Sequence, residues 1–160
     1  MSNKKLVTII LSHERFDTMK TLKTLESKKF EGDYKILIDT EDKQKESYVA
    51  KYGDKVIIFD KKEMAEITDL MNNFQNWNVA TLARNYALKW AKENGYEYVF
   101  MIDDDIRDFN FSYDDVNSKG IKRQSILDIN NVVASLLEFL QCSDKIMAAG
   151  FVANGAFFGG

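Results

Sequence analysis

Three consecutive acidic residues, Asp103, Asp104 and Asp105, directly follow the apolar run Tyr98 to Ile102. A short apolar run bounded by polar residues is typical of a buried strand in a parallel sheet. Because side chains alternate along an extended chain, Asp103 and Asp105 point one way and Asp104 the other. Neighbouring carboxylates repel one another, and a divalent cation is the simplest way to offset that repulsion. Asp103 and Asp105 are therefore the predicted metal-binding pair, with a solvated acidic turn as the alternative.

Polar residues also follow two earlier apolar runs. The run Leu6 to Leu11 is followed by Ser12 to Arg15, and the run Tyr34 to Ile38 is followed by Asp39. The carboxyl ends of parallel strands lie at one edge of a sheet, where open α/β folds bind their ligands. The sequence therefore predicts that these residues share a crevice with the three acids.

A long amphipathic helix precedes the acidic strand. Its apolar residues recur at helical spacing over residues 79–91, and Arg84 and Asn85 lie beside that stripe. Asn78 is a candidate cap at its start and Gly95 at its end. From this position Arg84 and Asn85 can face the predicted crevice.

The elements that must position these groups alternate between strand and helix patterns. Strands are predicted at residues 6–11, 34–38, 56–59 and 98–102, with a further one at 146–152. Helices are predicted after a cap at Asp17, at 43–52, at 61–77, at 79–91 and after a capping box at Ser125 to Asp128. Residues 106–124 are predicted to form a loop. This order favours a three-layer, Rossmann-like α/β fold with a mostly parallel sheet.

Bulk composition limits the class of protein. The 160 residues fit one domain, 1–160, and a net charge of -3 gives no nucleic-acid-binding stripe. No apolar stretch is long enough to span a membrane and no signal peptide is visible, so a cytoplasmic location is predicted. The single cysteine, Cys142, is predicted to be a buried, inert thiol. The apolar, glycine-rich ending at 155–160 suggests a chain truncated at its C-terminus.

Four segments together resemble the GT-A glycosyltransferases, most closely the large family-two type of nucleotide-sugar transferases. They are Val7 to Arg15, Leu37 to Asp39, Thr81 to Asn85 and Tyr98 to Asp105, in the order and spacing of that family. The resemblance covers roughly residues 6 to 106, and the ordered set is more specific than any single motif. Some phage-encoded transferases that decorate modified DNA bases have similar openings.

The resemblance implies a transferase that moves a sugar from a nucleotide diphosphate to an acceptor. Mn²⁺ or Mg²⁺ would bridge the phosphates, with Asp105 as ligand and Asp103 on the ribose or on a metal-bound water. Asp39 would accept a hydrogen bond from the base, and Arg84 would place a fixed cation toward the diphosphate or the base. The predicted donor-contacting residues are Ser12, His13, Arg15, Asp39, Arg84, Asn85, Asp103 and Asp104.

Other classes stay open at this stage. A nucleotidyltransferase-like enzyme shares the layered fold, but it would carry a glycine-rich, basic loop after the first strand. A receiver-type signalling domain gathers acids after its first strand, whereas Asp103 to Asp105 follow the fourth predicted strand. A purely structural interaction domain would bind no nucleotide or metal. The sequence identifies no catalytic base and leaves the donor sugar, the acceptor and the stereochemistry open.

Overall fold

The computed structural model describes residues 5–69, 77–114 and 120–151. Within them the strands are β1 (Leu6–Leu11), β2 (Tyr34–Asp39), β3 (Val56–Phe59), β4 (Tyr98–Asp103), β5 (Asn110–Asp114) and β6 (Ile121–Ser125). The helices are α1 (Thr21–Ser27), α2 (Lys45–Tyr52), α3 (Lys61–Ile67), α4 (Ala80–Glu93) and α5 (Ile129–Gln141), with a 3₁₀ turn at Gly53–Lys55.

The central sheet has the strand order β3-β2-β1-β4, and all of its pairs are parallel. The chain moves from β1 outward to β2 and β3, and then crosses back to place β4 on the other side of β1. In the β1–β4 pair, Leu11 lies opposite Asp103. The four strands predicted between residues 6 and 102 are thereby confirmed, with β2 and β4 each extended by one aspartate.

Helices cover both faces of this sheet, because its strands bury side chains on both sides. One core lies under α1, α2 and α5 and includes Ile10, Ile38 and Ile102. The other lies under α3 and α4 and includes Ile9, Leu37 and Leu82. The alternation of Ile9 with Ile10 and of Leu37 with Ile38 assigns each strand position to one face. The predicted three-layer α/β fold with a mostly parallel sheet is confirmed.

A two-stranded antiparallel hairpin, β5–β6, occupies the segment predicted to be a loop. Its strands are largely exposed and polar, so they lack the apolar pattern of a buried strand. Phe109 and Ile126 flank the hairpin and are buried in the core under α1, α2 and α5. The hairpin is therefore fixed at its base, a short distance along the chain from the acids.

Several predicted helix caps are wrong. The residue before α1 is Lys20, and its backbone N–H donates to the Asp104 carbonyl, so Asp17 caps nothing there. Val79 rather than Asn78 precedes α4. Asp128 alone caps α5 by accepting from the Asn130 N–H, whereas Ser125 ends β6.

Three further predictions differ from the structure or fall outside it. Residues 146–151 form no strand, and α3 ends at Ile67, with residues 70–76 of the longer predicted helix outside the described residues. Cys142 is exposed at the end of α5 rather than buried. None of the described helices is long and apolar enough to cross a lipid bilayer.

Candidate functional site

The candidate site lies where the strand order reverses, between the carboxyl ends of β1 and β4. Neighbouring strands send their following loops to opposite faces of the sheet at such a point, which opens a crevice. Ser12 to Arg15 follow β1, and Asp104 and Asp105 follow β4, with Leu11 and Asp103 in register. The structure thus brings the polar loop and the acids to one place, as the sequence predicts.

Asp104 is the buried member of the acidic triplet, with 5% of its side chain exposed. It accepts hydrogen bonds from Ser12 Oγ at 2.6 Å and from Arg15 Nη1 at 2.9 Å. The negative charge of Asp104 is the main reason that the pKa of Arg15 is raised. These contacts hold the loop after β1 against the end of β4. Asp104 therefore fixes the position of one wall of the crevice.

Tyr48 completes the buried side of the crevice. Its hydroxyl lies 2.7 Å from Ser12 Oγ, and its ring is fully buried between the sheet and α2. Burial raises the pKa of this hydroxyl, although the hydrogen bond to Ser12 opposes that shift. The hydroxyl is consequently neutral, and it links Ser12 to α2.

Asp103 and Asp105 are the exposed members, with 58% and 62% of their side chains accessible. Within the described part of the chain, each pairs with one arginine at a loose distance. Arg84 Nη2 lies 3.7 Å from Asp103 Oδ1, and Arg15 Nη1 lies 3.5 Å from Asp105 Oδ2. Both carboxylates therefore keep free lone pairs for a ligand that enters the crevice.

Hydroxyl groups of α1 fix the backbone that carries the acids. Thr21 Oγ1 donates to the Asp103 carbonyl at 2.6 Å and accepts from the Ile106 N–H at 3.0 Å. Thr24 Oγ1 donates to the Ile106 carbonyl at 2.8 Å. Since Thr21 is fully buried, these bonds are shielded from water and set the path of the chain as it leaves β4.

The loop after β1 turns sharply at Glu14, which has a φ of 51°. Non-glycine residues rarely adopt this left-handed conformation, so the neighbouring structure must hold it. Asp42 is buried and accepts the Glu14 N–H at 2.8 Å, and Lys43 pairs with the Glu14 carboxylate at 3.0 Å. The turn sends Arg15 back toward the acids.

Asp39 is buried at the end of β2, with 2% of its side chain exposed. Its Oδ2 atom lies 2.6 Å from His13 Nδ1 and 3.0 Å from Lys61 Nζ, and its Oδ1 accepts the Glu41 N–H at 3.0 Å. Sequence reasoning missed Lys61. Its position as the first residue of a helix that follows a parallel strand is the signal that could have found it.

The two faces of the sheet divide the predicted site residues. Ser12 and Asp104 lie on the face of α1 and α2, whereas Asp39 and Asp103 lie on the face of α3 and α4 with Lys61 and Arg84. Asn85 is not brought to the acids, because its side-chain amide donates to Thr68 Oγ1 at 3.4 Å.

The side chains available as metal ligands limit how a metal ion could bind. No group of three or more His, Cys, Asp or Glu side chains in the described parts of the chain could hold a metal ion. Two exposed carboxylates, Asp103 and Asp105, would supply only part of a coordination shell. This set fits a hard cation that takes its other oxygen ligands from substrate phosphates and water, as Mg²⁺ commonly does.

The fold and the crevice define a Rossmann-like α/β protein with its polar groups at a topological switch point. A model of the family described as TET-Associated Glycosyltransferase matches residues 6–159, and the chain belongs to this family. No curated protein and no solved structure matches the chain. Family membership makes the protein a glycosyltransferase, and it supports that class over the other classes left open by the sequence.

Proposed function

We propose that this glycosyltransferase is of the GT-A type and binds a nucleotide-diphosphate sugar in the crevice between β1 and β4. The observation that carries the proposal is the contrast within the acidic triplet. Asp104 is buried against Ser12 and Arg15, whereas Asp103 and Asp105 remain exposed beside Arg84 and Arg15. Exposed acids paired loosely with arginines can exchange those partners for a metal and a diphosphate.

Mn²⁺ or Mg²⁺ is the proposed cofactor, with Asp105 as a ligand and Asp103 as a second ligand, directly or through water. When bound, such a cation stabilises the negative charge that develops on the departing nucleotide diphosphate. The chain's own cations act on the same charge. Arg84 and Arg15 lie beside the two acids and can bind phosphate oxygens with their planar guanidinium groups.

The proposed acceptor is a modified base in DNA, bound through the base itself, since the net charge of -3 gives no general nucleic-acid-binding stripe. The resemblance of the first strand and loop to phage-encoded transferases that decorate modified DNA bases supports this assignment. The matched family is described as TET-associated, and this description is the second ground for the assignment.

Thermal unfolding in the presence of nucleoside diphosphates tests the proposed donor site. The chain is melted with UDP, GDP or CDP, each with and without Mn²⁺, beside Asp105→Asn. A ligand at about a hundred times its Kd adds about 2.7 kcal/mol of stability, which raises Tm measurably. We expect one or more nucleotides to stabilise the protein only with Mn²⁺, and Asp105→Asn to remove that stabilisation.

The matched control is Asp54→Asn, which removes an exposed carboxylate at the other edge of the sheet. This variant should keep the nucleotide-dependent rise in Tm. If no nucleotide raises Tm in a folded sample, or if Asp105→Asn responds like the wild type, the metal-dependent donor site is refuted.

A further inference from the structure

Three side chains form a row along the carboxyl edge of the sheet. Lys61 follows β3, Asp39 ends β2, and His13 follows β1. Asp39 Oδ2 contacts both neighbours, at 3.0 Å to Lys61 Nζ and at 2.6 Å to His13 Nδ1. The row therefore leads from the far side of the sheet to the crevice between β1 and β4.

Asp39 has little capacity left for a ligand. It already accepts from three donors, and only 2% of its side chain is exposed. By contrast, 48% of the His13 side chain is exposed. A nucleotide can thus reach the imidazole of His13 without displacing a hydrogen bond that the described residues make, whereas it could reach the Asp39 carboxylate only by breaking these contacts.

The contact of His13 with Asp39 places a ring hydrogen on Nδ1. A carboxylate can only accept, so the hydrogen between Asp39 Oδ2 and His13 Nδ1 belongs to the imidazole. Lys61 Nζ lies 3.0 Å from the same Asp39 oxygen, so His13 and Lys61 share one carboxylate. In the neutral ring of that tautomer, Nε2 on the opposite side carries a lone pair and is a hydrogen-bond acceptor.

The sheet indicates which part of a nucleotide would meet this acceptor. Asp103 and Asp105 place the diphosphate at the end of β4, which is the last strand on its side of the sheet within the described residues. The nucleoside must then extend over β1 and β2. Adjacent strands of a sheet are about 4.8 Å apart. His13 lies on that path.

We propose that His13 Nε2 accepts a hydrogen bond from the base of the bound nucleotide, and that Asp39 and Lys61 are positioning residues that hold its tautomer. This inference rests on the donor site proposed above. An acceptor at this point matches bases with a ring N–H, namely uracil and guanine. Cytosine has an acceptor at the corresponding ring nitrogen and could donate only from its exocyclic amino group, which lies at a different position on the ring. The His13–Asp39–Lys61 row thereby favours a donor nucleotide that carries uracil or guanine.

Binding measurements with two variants of His13 test the contact. The full chain is titrated with UDP, GDP and CDP in the presence of Mg²⁺. The wild type should bind UDP or GDP at least about tenfold more tightly than CDP, the equivalent of one hydrogen bond of about 1.4 kcal/mol. His13→Phe keeps an aromatic ring without an acceptor and should lose this preference. His13→Gln restores an acceptor and should regain part of it.

A second measurement reports on the positioning residues. His13 is the only histidine in the chain, so imidazole ¹⁵N NMR of protein purified without a histidine tag gives one set of ring signals. We expect a protonated Nδ1 and an unprotonated Nε2, with the Nε2 signal shifted by UDP or GDP. Asp39→Asn should lose the Nδ1–H tautomer, because an amide can donate to the ring instead.

The outcomes separate the two proposals. If no nucleotide binds the wild type, the donor site itself is refuted. If UDP or GDP binds but His13→Phe keeps the wild-type preference, the donor site stands and the role of His13 is refuted. A ring protonated on both nitrogens, or an Nε2 signal that ignores a bound nucleotide, also overturns the inference.

Discussion

The two faces of the sheet's carboxyl edge contain the same kinds of side chain but arrange them in opposite ways. On the face of α1 and α2, Asp104 is buried and hydrogen-bonded to Ser12 and Arg15. On the face of α3 and α4, Asp103 is 58% exposed, and its one ion pair within the described residues is with Arg84 at 3.7 Å. Adjacent aspartates thus differ because strand alternation sends them to different surroundings.

This difference indicates which acids maintain the fold and which are free to bind. A buried carboxylate needs hydrogen bonds to offset its lost hydration, and Asp104 obtains them within the protein. Exposed carboxylates stay hydrated until a ligand arrives, so their replacement should leave the fold intact. Stability and ligand binding should therefore respond to different members of one triplet.

Asp104→Ala should give the largest loss of stability. The change removes a buried acceptor from Ser12 and Arg15, and bonds to a charged group each contribute about 1.5–3 kcal/mol. We expect the free energy of unfolding to fall by about 3 kcal/mol in urea titrations near neutral pH. Asp105→Ala is the control and should stay within about 0.5 kcal/mol of the wild type. Equal losses of unfolding free energy in the two variants would show that Asp104 does not stabilise the fold more than Asp105 does.

Thr21→Val should have the next largest effect. Valine has a similar shape but leaves the Asp103 carbonyl and the Ile106 N–H without their hydroxyl partner. Losing a buried partner costs about 1–3 kcal/mol, so we expect the unfolding free energy to drop by about 2 kcal/mol. Thr18→Val, at an exposed position in the preceding turn, serves as the control. An unchanged urea midpoint for Thr21→Val would show that α1 does not hold the acidic segment.

Asp108 should give the smallest effect, visible only as a dependence on pH. Burial raises the pKa of Asp108, but hydrogen bonds from Lys28, Ser125 and the Phe109 N–H outweigh it and leave the pKa below its ordinary 3.8. A carboxyl group with a lowered folded-state pKa stabilises the protein above pH 3.8, and that contribution disappears as the pH falls through the folded-state value.

Urea titrations of the wild type and Asp108→Asn at about pH 6 and about pH 3 measure this contribution. The two proteins should differ at the higher pH by less than about 1 kcal/mol, since the ion pair with Lys28 is partly exposed, and should converge at the lower pH. A constant difference across this range would mean that the charge of Asp108 does not stabilise the base of the hairpin.

Local patterns in the sequence predict the sheet and the separation of Asp103 from Asp104 well. Buried parallel strands require continuous apolar runs, and these identify β1 to β4 without reference to other parts of the chain. Alternation alone predicts that Asp104 faces away from Asp103, which the structure confirms, whereas Asp105 lies past the end of β4 and shares Arg15 Nη1 with Asp104. Both properties depend only on neighbouring residues.

The missed features depend on contacts between distant parts of the chain. Tyr48 reaches Ser12 and Lys61 reaches Asp39 only because α2 and α3 pack at particular positions on the sheet. The β5–β6 hairpin has polar, exposed strands whose pairing follows no apolar pattern. The burial of Asp39 likewise follows from the docking of Lys61, so its sequence position alone could not distinguish a ligand-contacting acid from a positioning one.

The polar side chains of α1 that contact the acidic segment matter for protein engineering. Thr21 and Thr24 of α1, and Lys28 directly after its end, contact the chain in turn at Asp103, Ile106 and Asp108. Their spacing of three and four residues places them on one side of the helix. Grafting the three acids alone onto another α/β scaffold would therefore omit the side chains that hold the acidic segment in place. A working transplant would have to include this polar side of the helix, which acts as the template for the acidic segment.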